Sequence, residues 1–331
     1  MYRHPIRLSV LALALVLPAC GGGGQAADAP GTNSDLVAAV SLAPYEDLVE
    51  RVGGDRIDVR EVVPDGLDGH TYEPTPSDVR TFADADIVFL PGADLNPRVT
   101  ELAQANVPDD ASIVDLNALT MSNNEWLYID MHSHGDGPAH GHDGNPHTWT
   151  NIPYAARDVK EIATALTAVD PDGAGTYAAN RDALLNEIDE LDIATREAIA
   201  TIPKDNRTLV VYHDSWSYFG REYGFDVIGA LQAVDFAEPS ASEMRNMVGQ
   251  VEAAGVPGFF GSVVFPTSVL EQVAAESGVA YVGNLSDDAL PGDPGDPEHS
   301  YVGMMVANVR TIVEGLGGDA SALDRVDPAV R

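Results

Sequence analysis

Residues 172–201 read DGAGTYAANRDALLNEIDELDIATREAIAT, thirty residues without a proline until Pro203. Leu184, Ile188, Leu191 and Ile199 recur at the spacing of one helix face. At about 1.5 Å per residue such a helix spans about 45 Å, longer than a compact α/β domain needs for a crossover. On both sides of it the pattern changes to short apolar runs alternating with helical segments. Before the helix the runs at 36–41, 57–63, 87–90 and 112–116 predict strands, with a helix over 44–52 ended by Gly53-Gly54. After it, 208–212, 226–230, 258–262 and 279–282 predict a second set, interleaved with helices near 238–254, 267–277 and 299–315. Two strand–helix series flanking one long helix predict an α/β protein of two lobes. Each lobe holds a mainly parallel sheet flanked by helices, and the long rigid α-helix joins them.

The expected boundaries follow: an N-terminal lobe over 35–171, the linking helix over 172–202, and a C-terminal lobe over 203–331. Ahead of them, Arg3 and Arg7 precede a run from Leu8 to Leu17 broken only by Ser9. Ten residues cover about 15 Å as helix, half of a bilayer core of about 30 Å, so 1–19 reads as a cleaved signal peptide. Cys20 is the single cysteine, which excludes an intramolecular disulfide. Its place after Leu17-Pro18-Ala19 resembles the lipobox of bacterial lipoproteins, in which that cysteine becomes the lipidated first residue. Residues 20–34 then form the lipidated cysteine and a flexible Gly-rich tether.

Charge narrows the partners. Lys plus Arg number 18 against 52 Asp plus Glu, and Lys160 and Lys204 are the only lysines. A surface this negative repels phosphate backbones, which excludes nucleic acid as a partner.

The nine histidines carry the chemistry. His4 leaves with the signal peptide. His132, His134, His140 and His142 lie in the Gly- and His-rich stretch 131–147, expected to be an exposed loop. His213 ends the apolar run 208–212. His70 follows the strand over 57–63 after the turn PDGLDG, and His147 closes the His-rich stretch. Asp287 and Asp288 follow the strand near 279–282. Ligand sites in open α/β sheets gather beyond the carboxyl ends of strands. Two candidates from each half therefore point to one shared site in the cleft between the lobes.

Several segments resemble, in order, the zinc- and manganese-binding solute receptors of bacterial ABC importers, over roughly residues 37–316. They are GLDGHTYEPTPSD at 66–78, NPHTW at 145–149, His213-Asp214 with Tyr218 and Tyr223-Gly224, LSDDAL at 285–290, and YVGMMVAN at 301–308. The resemblance implies His70, His147, His213 and Asp288 as metal ligands, the last chosen over Asp287 by register. It also implies a membrane permease as partner, a monomer, an extracytoplasmic place on the lipid anchor and no catalysis. Gly69 stands where the family has proline, Thr150-Asn151 where it has Leu-Asp, and Gly261-Ser262 lacks an acidic residue common there.

Three imidazoles and one carboxylate suit tetrahedral Zn²⁺, whereas Mn²⁺, the alternative cargo, prefers oxygen-rich surroundings. The four loop histidines form a candidate auxiliary zinc-collecting segment. Imidazoles must be neutral to ligate, so loading is expected to weaken from neutral pH toward pH 5. Glu73 and Asp214 are candidates to orient the rings. A zinc hydrolase is the alternative from another class; it needs an open coordination position, and the chain contains no HExxH. An adhesin or metallochaperone would use the same scaffold with a different partner.

Overall fold

The structure is a computed structural model, and it describes residues 36–127, 144–228, 239–264 and 267–328. The signal peptide, Cys20, the tether, and His132, His134, His140 and His142 lie outside the described residues. So do residues 229 and 230 of the strand expected over 226–230.

Strands β1 (Leu36–Val40), β2 (Ile57–Glu61), β3 (Ile87–Leu90) and β4 (Ser112–Asp115) form one parallel sheet in the order β2-β1-β3-β4. β3 reads IVFL and is buried along its whole length, as an interior strand covered by helices on both faces requires. Helix α1 (Ala43–Gly53) leaves β1 directly. It stops where Gly54 takes φ 57°, a left-handed angle that a side chain would resist, as the Gly53-Gly54 pair predicts. Helices α2 (Pro76–Ala83), α3 (Pro97–Asn106), α4 (Leu116–Thr120) and α5 (Ile152–Val169) complete this half.

The long helix is α6 (Ala174–Ala200), 27 residues and about 40 Å, shorter than expected because 171–173 form a 3₁₀ turn. Beyond it come β5 (Thr208–Val210), α7 (Ser217–Tyr223), β6 (Asp226–Ile228), α8 (Ala241–Ala254), β7 (Gly258–Ser262), α9 (Thr267–Ser277), β8 (Ala280–Leu285) and α10 (Tyr301–Gly315). The second sheet consists of two parallel pairs, β5–β6 and β7–β8, linked by a single bridge between Val211 and Phe260. Every ladder in both halves is parallel among the described residues. The expected α/β architecture of two lobes is the observed one.

α6 is more than a connector. Its buried side includes Tyr177, Leu184, Ile188, Leu191 and Ala198. Toward the N-terminal half, Asn180 Nδ2 donates to the Val52 carbonyl at 3.1 Å, and Glu187 pairs with Arg51 at 2.5 Å. Toward the C-terminal half, Asp192 accepts from the Tyr223 hydroxyl at 2.6 Å, and Glu197 pairs with Arg325 at 2.5 Å. The apolar core runs through without interruption, from Val40 and Phe89 past Trp149 and Leu191 to Leu209, Phe260 and Met304. Separating the halves would expose that core at about 25 cal/mol for each Å² of apolar surface. Among the described residues no helix is long and apolar enough to cross a membrane.

Polar bonds stitch the seam between the halves. The Trp149 indole donates to the Asp287 carbonyl at 2.7 Å, and the Trp149 carbonyl accepts from the Tyr301 hydroxyl at 2.8 Å. Thr150 Oγ1 donates to the Ser215 carbonyl at 2.7 Å, and Asn151 Nδ2 to the Tyr218 carbonyl at 3.0 Å. Asn151 Oδ1 also accepts from the Tyr154 amide and so caps α5. Thr150 and Asn151, two of the residues that depart from the family pattern, are thus both bonded across the seam.

Candidate metal centre

His70 lies in the turn after β2, His147 just before the 3₁₀ turn Thr148–Thr150, and His213 in the bend between β5 and α7. The run that His213 ends does not pass straight into a helix: α7 starts only at Ser217, because residues 213–216 form a bend around the site. The stretch 131–147 is likewise not exposed at its end. Asn145 and His147 are each only 1% exposed, because this end is wedged into the seam between the halves.

The three rings converge. His147 Nε2 lies 2.9 Å from His70 Nε2 and 3.0 Å from His213 Nε2. One nitrogen from each ring falls within 4.8 Å of the other two, and among the described residues no other group of three metal-ligating side chains does so. A tetrahedral ion bonded at 2.0–2.1 Å to each nitrogen needs nitrogens ~3.3 Å apart, and both spacings at His147 stand within a few tenths of an ångström of that value.

Burial favours the neutral form of two of the rings, His70 and His147. Burial first, then the neighbouring His213, lowers the His70 pKa to about 3, while a hydrogen bond with the Leu95 backbone opposes the shift. His147 is held well below the usual imidazole value by burial and by both neighbouring rings. Two neutral rings whose Nε2 atoms lie 2.9 Å apart can share one hydrogen bond or, with both lone pairs turned inward, cradle a cation.

These shifts revise the expected pH dependence. With His70 and His147 held below the usual imidazole range, neither brings a proton that the metal must displace as pH falls below 6.5, whereas a protonated Asp288 does. Metal affinity is therefore expected to fall by no more than about a hundredfold per pH unit across that window, as read by competition with a chelator. A slope of three or more protons per ion would contradict the buried geometry. The same shifts act on stability: below about pH 6.5 the unfolded chain protonates these rings and the folded chain does not. Stability is thus expected to fall as pH drops below about 6.5, for His70 until about pH 3, with His147 acting in the same direction.

Asp288 is not one of the three-nitrogen group. Its Oδ2 accepts from the Gly69 amide at 3.0 Å, one residue from His70, and its Oδ1 is buried without a hydrogen-bond partner. Burial first, and then Asp287, pushes its pKa well above the carboxylate range. Asp287 is differently placed, accepting from Ser215 Oγ and Ser262 Oγ at 2.6 Å each. Of the two acids that the residues alone left open, Asp287 is spent on structure, and Asp288 has an oxygen to offer. Gly69 matters here because a proline at that position would have no amide hydrogen to give Asp288.

Of the two suggested orienting acids, Glu73 is exposed and pairs with Arg98. The Asp214 carboxylate accepts from Ser217. Asn145, which no sequence signal singles out, does face a ring: its Oδ1 lies 2.7 Å from His147 Nδ1.

Comparison with known proteins places this geometry in context. Residues 39–315 match the family described as zinc-uptake complex component A, periplasmic. The manganese-binding lipoprotein MntA of Halalkalibacterium halodurans is 29% identical over 314 residues, which cover 93% of this chain and 96% of the relative. The iron-binding protein YfeA of Yersinia pestis is 28% identical over 272 residues, covering 82% and 83%. Among solved structures, the periplasmic zinc-binding protein TroA of Treponema pallidum superposes with a TM-score of 0.76 at 25% identity. That match covers 85% of this chain and 99% of the other.

Proposed function

The chain belongs to the family of zinc-uptake complex component A, periplasmic, and on that premise we propose that it is the metal receptor of an ABC importer. It captures Zn²⁺ outside the cytoplasm and passes it to a membrane permease while anchored through lipidated Cys20. His70, His147 and His213 supply three neutral nitrogens and Asp288 the fourth ligand, which fills a tetrahedral shell and leaves no position for a reactive water. The protein is accordingly a carrier and not a hydrolase. The observation that carries this reading is the meeting of the His147 ring with those of His70 and His213, one from each side, at 2.9 and 3.0 Å.

Manganese is the second reading, favoured by relatives whose names give manganese as their metal. Iron stands in the name of another. A nitrogen-rich set ranks Zn²⁺ above both Fe²⁺ and Mn²⁺ by the Irving–Williams order. In competitive titrations of the mature protein followed by elemental analysis, zinc is expected to displace manganese at equal concentrations. Retention of manganese against equimolar zinc would overturn the choice of cargo. A permease and an ATPase encoded beside this chain would separate import from the adhesin or metallochaperone reading.

A further inference from the structure

Asn145 makes contacts with both sides of the metal cleft. Its Oδ1 accepts from the backbone amide of His147 at 3.0 Å and lies 2.7 Å from the Nδ1 atom of the same ring. Its Nδ2 donates to the carbonyl of Asp214 at 2.8 Å. Its own carbonyl accepts from the Tyr218 hydroxyl at 2.9 Å, and its amide donates to the Leu127 carbonyl at 2.6 Å. The side chain is 1% exposed, so water does not replace these partners.

Two of those partners settle which way the amide faces. The Asp214 carbonyl can only accept, so the NH₂ end must point to it. The His147 backbone amide can only donate, so the oxygen must point there. With the oxygen fixed, His147 Nδ1 must carry the hydrogen that the 2.7 Å contact requires. The lone pair of the neutral ring is then on Nε2, the atom that faces His70 and His213.

We infer that Asn145 is a positioning residue that sets the His147 tautomer for metal binding and fixes the spacing between His147 and the segment bearing His213. The inference rests on the proposed metal site. The bond to Asp214 lands one residue beyond His213, so one side chain ties a ligand of the N-terminal half to the backbone beside a ligand of the C-terminal half. Asparagine is the residue type that serves both ends: aspartate would keep the acceptor for His147 and lose the donor for Asp214, and alanine loses both.

The test is long-range ¹H–¹⁵N NMR of the imidazoles in the metal-free protein, together with zinc titrations, on wild type, Asn145→Ala and Asn145→Asp. Wild type is expected to show His147 protonated on Nδ1 alone. Asn145→Asp keeps that signature, and Asn145→Ala gives a mixture of tautomers. Zinc affinity is expected to fall by about 10–100-fold in Asn145→Ala and by less in Asn145→Asp. A wild-type His147 protonated on Nε2, an unmixed Nδ1 signature in Asn145→Ala, or zinc affinity within about twofold of wild type in that variant would overturn the inference. A structural role alone would not move the tautomer. If wild type bound no metal, the proposed function would fail, and the NMR readout would still judge Asn145.

Discussion

Replacing His147 by alanine is expected to lower zinc affinity by more than about 100-fold, beyond the 10–100-fold typical of losing an outer hydrogen-bond partner of a ligand. His147 is the ring that both others meet. Its Nε2 is within 3.0 Å of each neighbouring Nε2, and it is the most deeply buried of the three. Without it His70 and His213 keep their places but lose the nitrogen between them, and the ion retains at most two imidazoles and one carboxylate. Competition against a chromophoric chelator measures the loss, and circular dichroism checks that the fold persists. Affinity unchanged by the substitution would place the bound ion elsewhere, with the loop histidines as the first alternative.

The second large effect is on stability. Trp149→Ala is expected to cost about 3–5 kcal/mol for the cavity left by a fully buried aromatic. Stranding the Asp287 carbonyl adds about 1–3 kcal/mol. The indole is 0% exposed, lies 5.1 Å from the His147 ring and 5.7 Å from Tyr45 edge-on, and donates across the seam to Asp287. Trp149→Phe keeps most of the apolar burial and removes the N–H, so it should show the carbonyl's share alone. Urea unfolding of both variants separates the two contributions. A loss under about 1 kcal/mol in Trp149→Ala would mean that the ring does not hold the halves together.

Much of the fold is legible in the sequence because parallel strands buried on both faces are short continuous apolar runs. Ile87–Leu90 and Gly258–Ser262 begin and end where the pattern says, and the long helix differs only at its ends. Less legible is whatever depends on the seam. The strand over 208–212 stops at Val210, and Val211 bridges Phe260 on β7 while its amide still donates to Ile228 on β6. Residues 145–147 look like the tail of a polar loop, yet they are buried, since their polar groups find partners from the other half. Helix α5 has its start signal in Asn151 followed by Ile152-Pro153, directly beside the buried residues of the seam.

The site divides in the same way. Histidines at strand ends are visible as single residues, and the fold brings His70, His147 and His213 together. Asn145 carried no signal of its own, because an asparagine before Pro-His is as ordinary as any turn residue until its partners are known. The preference for Asp288 came from resemblance. The hydrogen bonds give it a physical reason, since both Asp287 oxygens are taken and one oxygen of Asp288 is not.

The most direct measurement is anomalous diffraction at the zinc edge from crystals of the zinc-loaded protein. The expected result is one strong peak bonded to the Nε2 atoms of His70, His147 and His213, with an Asp288 oxygen completing the shell. A crystal that holds zinc elsewhere, with no anomalous density among those three rings, would contradict the account.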